Sequence, residues 1–94
     1  MAPSLKFHPA AAKDLAKLTE RDRPLFGRFE RALREIQENP YAGEKKSGDL
    51  AECWAKGFTF RRVAYRIVYR VSPPRVLVLA LGVHDVAYRK ARGR

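Results

Sequence analysis

The side chains in this sequence with chemistry to offer are arginine, lysine, tyrosine and histidine, and they gather in its second half: Lys56, Arg61, Arg62, Arg66, Arg70, His84, Tyr88, Arg89 and Lys90. Count and spacing exclude most alternatives. His8, His84 and Cys53 lie too far apart to form a ligand set, so neither a metal nor a cofactor is expected. The six glycines are scattered and form no phosphate-cradling GxxxxGK loop. Ser4, Ser47 and Ser72 sit in no nucleophile elbow. Beyond residue 55 Asp85 is the one acidic residue, so paired catalytic carboxylates are not expected there. The remaining inventory suits a reaction whose nucleophile belongs to the substrate: metal-free cleavage of RNA by its own 2′-hydroxyl. Such a reaction asks for help in losing the 2′ proton, for cationic donors around the crowded phosphorus, and for a proton on the departing 5′ oxygen. Arginine and lysine serve the second need, and histidine or tyrosine the other two.

The charge distribution points to a polyanionic partner. Twenty Lys and Arg face ten Asp and Glu in 94 residues, a net charge of +10. Residues 1–55 hold 10 basic and 9 acidic residues, whereas residues 56–94 hold 10 basic residues and one acid. A single domain over 1–94 is expected from the length. One cysteine forms no intrachain disulfide, no apolar run reaches the ~20 residues of a membrane span, and Met1–Phe7 lacks the apolar stretch of a leader. No membrane association is expected, and a cytoplasmic location is.

These side chains need positioning elements. Ser4–His8 alternates as a short strand, and Pro9 suits a first helical turn before an Ala-rich helix to Leu18. Asp22 is placed to cap a second helix, whose Leu25, Phe29, Ala32, Leu33 and Ile36 repeat at helical period. Asn39-Pro40 ends it. Residues 41–49 read as a loop. Residues 50–60 read as a strand region interrupted at Gly57, and Val63–Val71 alternates strictly, with Tyr65, Ile67 and Tyr69 opposite Arg66, Val68 and Arg70. Ser72–Arg75 is a turn, Val76–Leu81 is apolar on both faces, and Val86–Arg92 is a short helix or a tail. The order gives an α+β fold of two layers: an N-terminal strand and a helical hairpin packed on a small, mostly antiparallel sheet. The other sheet face should present Arg66, Arg70 and Arg61 to solvent. Trp54 and Tyr65 read as core, Cys53 as a small buried residue, and His8 as a strand end.

Several stretches carry a resemblance. Tyr65-Arg66-Ile67-Val68-Tyr69, the apolar strand ending at Gly82, and His84-Asp85-Val86-Ala87-Tyr88-Arg89 are similar to the RelE/ParE superfamily of bacterial toxins. The opening Leu5–Leu15, the second helix ending Asn39-Pro40, and Cys53-Trp54 before a basic strand resemble it too. The resemblance implies a small α+β toxin neutralised by a cognate acidic antitoxin in a hetero-oligomer. It implies an endoribonuclease acting on mRNA in the ribosomal A site, or alternatively an inhibitor of DNA gyrase. A plain basic nucleic-acid-binding module is the reading without catalysis. On the nuclease reading, Arg66 matches the arginine that contacts the scissile phosphate, Tyr88 the tyrosine near the 2′-hydroxyl, and His84 a proton donor or acceptor. Lys56 lies where such nucleases often carry two lysines. The sequence departs from the pattern there, with Gly57 or Thr59 in place of the second lysine, and Arg61 and Arg62 are near enough to compensate. Arg62, Arg70, Arg89 and Lys90 are the expected RNA-binding cations.

Overall fold

The computed structural model describes residues 3–94. Met1 and Ala2, which open the segment read above for a leader, lie outside the described residues. The elements are β1 (Ser4–Phe7), α1 (Pro9–Leu18), α2 (Arg23–Glu38), β2 (Glu44–Lys45), β3 (Cys53–Phe60), β4 (Val63–Ser72), β5 (Arg75–Val83) and α3 (His84–Arg92), with 3-10 turns at Pro40–Ala42 and Gly48–Leu50. They form a five-stranded sheet in the order β1-β5-β4-β3-β2. It is antiparallel except for β1, which runs parallel to β5. The α+β, mostly antiparallel reading holds.

Local chemistry explains the helices. His8 is more than a strand end: its Nδ1 accepts the Ala10 N–H at 3.0 Å and caps α1, with Pro9 in the first turn. Asp22 caps α2 by accepting the Leu25 N–H at 3.2 Å. The predicted stripe of α2 is buried residue for residue and packs on Phe58, Ile67, Tyr69, Val76, Val78 and Leu81 from the sheet. Burial of each large side chain in that layer contributes about 1.5–3 kcal/mol. Tyr69, fully buried, donates its hydroxyl to the Pro40 carbonyl at 2.6 Å, and burial pushes its pKa up to about 12. A Cβ at Gly43 would overlap that hydroxyl and the Ala55 carbonyl, so the segment passes there only as glycine.

The structure corrects the reading in four places. β3 runs unbroken through Gly57, because the ladder to β4 holds that backbone without needing its side chain. The stretch read as a loop contains β2, paired to Trp54 and Ala55. The second sheet face, expected to be open, is partly covered: residues 84–92 form the helix that was one of the two readings, and α3 packs there, burying Val68, Leu79, Ala80, Ala87, Tyr88 and Ala91 together. That face is therefore half covered, and β5 is sheltered on both sides as its composition implied. Finally, Arg61 and Arg62 form the two-residue turn between β3 and β4 with φ of 51° and 67°, which turns Arg61 toward Asp22 at 2.9 Å rather than onto the second face. A bulge explains why the run Val76–Leu81 loses its alternation: Tyr69 pairs with Val78 and Val68 with Ala80, leaving Leu79 as an extra residue.

One buried carboxylate holds α3 in place. Asp14 of α1 accepts from the Leu81 N–H at 3.4 Å, from Lys90 at 2.9 Å and from Arg94 at 2.6 Å, and Arg94 also donates to the Leu79 carbonyl at 2.8 Å. Burial pushes the Asp14 carboxyl up, but the hydrogen bonds from Arg94, Lys90 and Leu81 outweigh it and leave its pKa below the ordinary carboxylate value. A depressed folded-state pKa stabilises the protein above the unfolded value of about 3.9, and the contribution is lost as pH falls through the folded value. Asp14→Asn should cost about 2–3 kcal/mol at pH 7, with the gap to wild type shrinking below about pH 4; urea unfolding at both pH values measures it. Arg62→Gly should raise stability by about 0.5–1 kcal/mol by relieving the left-handed backbone, read as a higher melting temperature.

Candidate functional site

The second sheet face carries a row of three cross-strand neighbours, Gly57 on β3, Arg66 on β4 and Gly82 on β5. Each glycine leaves room for something specific. The Arg66 guanidinium lies across Gly57, where a Cβ would overlap its Nη1, Nε and Cζ. At Gly82 the first turn of α3 closes over the strand, with Ala87 N and Val86 3.7 Å from where a Cβ would stand. Arg66 spends one N–H on the Tyr65 carbonyl at 3.0 Å. Among the described residues no carboxylate lies within 4.0 Å of it, which leaves most of its five N–H donors for a ligand.

Two residues past Gly82, His84 opens α3, and one helical turn on, Tyr88 meets it edge-on, with ring centroids 4.9 Å apart at 88°. The His84 Nδ1 lies 2.9 Å from the Asp85 carboxylate. An N–H there donating to the acid leaves Nε2 with a free lone pair. Tyr88 is nearly buried, and the Lys46 ammonium sits over its ring at 4.7 Å. Lys46 is also paired with Glu44 at 3.1 Å. That hydrogen bond raises the Lys46 pKa, with Tyr88 adding to the effect, so Lys46 stays a cation. Glu44 is held below the usual carboxylate range, first by Lys46 and then by the fields of Arg66 and His84. An open groove of about 400 Å³ runs beside this cluster, walled by Gly43 and Glu44, floored by β3 from Ala55 to Thr59, and reached by Arg66.

The fold thus pairs His84 with Tyr88 and sets both His84 and Arg66 in the field of Glu44; Lys56 lines the same groove as Arg66, while Arg61 is held elsewhere. Lys56 pairs in register with Ile67, so it belongs to the helix-facing side, where it meets Glu35 at 3.2 Å. Arg61 is held by Asp22 and lies over the Phe60 ring at 4.6 Å. Lys90 is engaged by Asp14. Arg62, Arg70 and Arg89 are exposed and have no carboxylate within 4.0 Å among the described residues. Sequence reasoning missed Lys46 and Glu44. The signal available was the charged run Glu44-Lys45-Lys46 entering β3. Register places Glu44 beside Ala55, on the Arg66 face, and Lys45 beside Trp54, on the other, where its ammonium lies 5.4 Å from the indole centroid. Chemically, the cluster offers two cationic donors, an imidazole, a phenol and a carboxylate on one rim.

The Gly57–Arg66 contact is testable by itself. Gly57→Ala should keep melting within about 1 kcal/mol of wild type, since only the flexible end of an arginine must move and strand glycine is a weak point anyway. A crystal structure of the variant should show the guanidinium swung off β3.

Comparison with known proteins gives this geometry a family. No curated protein matches the sequence. Among solved structures, an arginine-to-alanine double mutant of the E. coli toxin RelE in the free state is similar over 100% of this chain and 98% of its own, with 26% identity and a TM-score of 0.75. RelE in the intact E. coli RelBE toxin–antitoxin complex gives 26% identity over 86% of this chain and 95% of its own, with a TM-score of 0.66. A chain of the heterotetrameric YoeB–YefM toxin–antitoxin complex from Staphylococcus aureus shares the fold, at 18% identity over 85% of this chain and 94% of its own and a TM-score of 0.68. The family profile of the ParE-like toxins matches residues 5–92. The chain therefore belongs to the ParE-like toxins of type II bacterial toxin–antitoxin systems.

Proposed function

We propose that this toxin is a metal-independent endoribonuclease that cleaves mRNA in the ribosomal A site, working in the cytoplasm as one domain spanning residues 1–94. The observation that carries the reading is a groove lined by Arg66 and Glu44, with Glu44 paired to Lys46 and the Lys46, Tyr88 and His84 side chains stacked in contact with one another. Arg66 binds the scissile phosphate and takes up the charge that grows on its oxygens. The RNA 2′-oxygen attacks phosphorus, its proton passes to the free Nε2 of His84, and the P–O5′ bond breaks. The departing 5′ oxygen takes a proton from Tyr88, and Lys46, above that ring, steadies the negative charge left on the phenol. The products are a 2′,3′-cyclic phosphate and a 5′-hydroxyl, so no water or metal enters the bond-breaking step.

A cognate acidic antitoxin is the partner, forming a hetero-oligomer as RelB does with RelE. Among the described residues the β3 edge past Ala55 has no strand partner, and it invites a segment that folds on binding. A second reading, inhibition of DNA gyrase, draws on one observation: β3 offers Ala55 and Gly57, not cations, to the Arg66 face.

Arg66→Ala should lower the cleavage rate by about 100-fold or more while antitoxin binding persists. Lys46→Met should slow cleavage by about tenfold or more, with Lys46→Arg partly restoring it, because only the charge over Tyr88 is at stake. Primer extension on cellular transcripts after induction measures both. Intact transcripts together with broken DNA would overturn the nuclease reading in favour of gyrase.

A further inference from the structure

A second cationic hollow lies on the same sheet face, away from the groove just described. Lys6 of β1 and Arg70 of β4 both pair with Leu77 of β5, so the two cations flank one leucine in a single row. Arg75, paired with Ser72 and Ser4, stands in the next row toward the β4–β5 turn. Lys6, Arg70, Ser72, Arg75 and Leu77 enclose a space of about 320 Å³. Among the described residues no carboxylate lies within 4.0 Å of Lys6, Arg70 or Arg75. Three strands thus deliver three cations to one place with no counter-charge, although five other cations of the second half are matched to acids elsewhere in the fold.

We propose that Lys6, Arg70 and Arg75 form a second phosphate-binding site that takes a backbone phosphodiester of single-stranded RNA. The Ser72 hydroxyl adds a neutral donor beside the three cations, which suits a compact tetrahedral anion with several oxygens. The site is distinct from Arg66: Arg70 lies four residues along β4, about 13 Å away, and α3 covers Val68 and Ala80 between them. Both sites nevertheless face the same way, so a bound strand a few nucleotides long reaches from one to the other. This rests on RNA being the substrate, and it adds that binding is shared between a reacting phosphate and a distant anchoring one.

The test is equilibrium binding of the full chain to a short single-stranded RNA carrying 2′-O-methyl groups, which cannot be cleaved, across a salt series. The triple variant Lys6→Gln/Arg70→Gln/Arg75→Gln should flatten the dependence of log affinity on log salt by about 0.7, the value for one phosphate contact, and so weaken binding about fivefold more at 0.1 M salt than at 1 M. A DNA strand of the same sequence should lose the same amount, because phosphates and not 2′ groups are read. Inorganic phosphate should compete with the strand on the wild type and much less on the variant. If the triple variant folds poorly, each single substitution should still weaken binding at 0.1 M salt and leave it nearly unchanged at 1 M, with a slope change of up to about 0.7. An unchanged slope overturns the site, as does a loss confined to binding of the acidic antitoxin. Because the probe is not cut, a protein that fails to cleave mRNA would still reveal this site, and a flat result here would leave cleavage untouched.

Discussion

The constraint on which the site depends is the emptiness on either side of Arg66. An arginine on a sheet face normally lies between side chains of the neighbouring strands. Here both neighbours are glycines, and the two gaps serve different ends. One is filled by the arginine itself, whose guanidinium drops over Gly57 beside the groove. The other lies under the first turn of α3, which carries His84 and Tyr88 in edge-on contact. A side chain at position 57 would push the Arg66 guanidinium off β3, whereas a methyl at position 82 would meet α3 only at ordinary contact distance. The absence of a cation at position 57 is thus part of how this chain holds its arginine, and Lys46 reaches the cluster from the segment before β3 instead.

The fold also sorts charge. The second half of the sequence carries ten cations. Lys56, Arg61, Lys90, Arg92 and Arg94 each meet a carboxylate from the first half, namely Glu35, Asp22, Asp14, Asp49 and Asp14 again. The exposed pairs contribute little stability. The buried Asp14 set contributes more, because it ties α1, β5 and α3 together where water is excluded. What these pairs leave over is Arg62, Arg66, Arg70, Arg75 and Arg89, the cations of the second half with no carboxylate within 4.0 Å among the described residues.

Much of this was legible in the sequence, for physical reasons. Periodicity marked the α2 stripe and the two faces of β4, because burial on one side forces it. Asp22 and Pro9 marked helix starts because backbone N–H groups there need partners. Arg66, His84 and Tyr88 were singled out from residue type and resemblance; register sets Arg66 beside Gly82, two residues before His84. What the sequence left hidden shares a cause, since partners far apart in the chain decide it. Lys56 alternates onto the Glu35 side only once the β3–β4 register is fixed. Glu44 and Lys46 gain meaning only from a two-residue strand too short to show a period. Gly57 looked like an interruption because its use is to accommodate a side chain nine positions away.

The Asp14 clasp has a consequence for biosynthesis. It joins residues 80 positions apart, and β1 pairs with β5, more than 65 positions on. Pairings this distant close late, after the intervening chain exists. As the polypeptide emerges, the hairpin carrying Arg66 can form while the helix bearing the imidazole and phenol is still unanchored. A nascent chain therefore carries an unarmed half-site, and the cluster is completed only once residue 94 is free to reach α1.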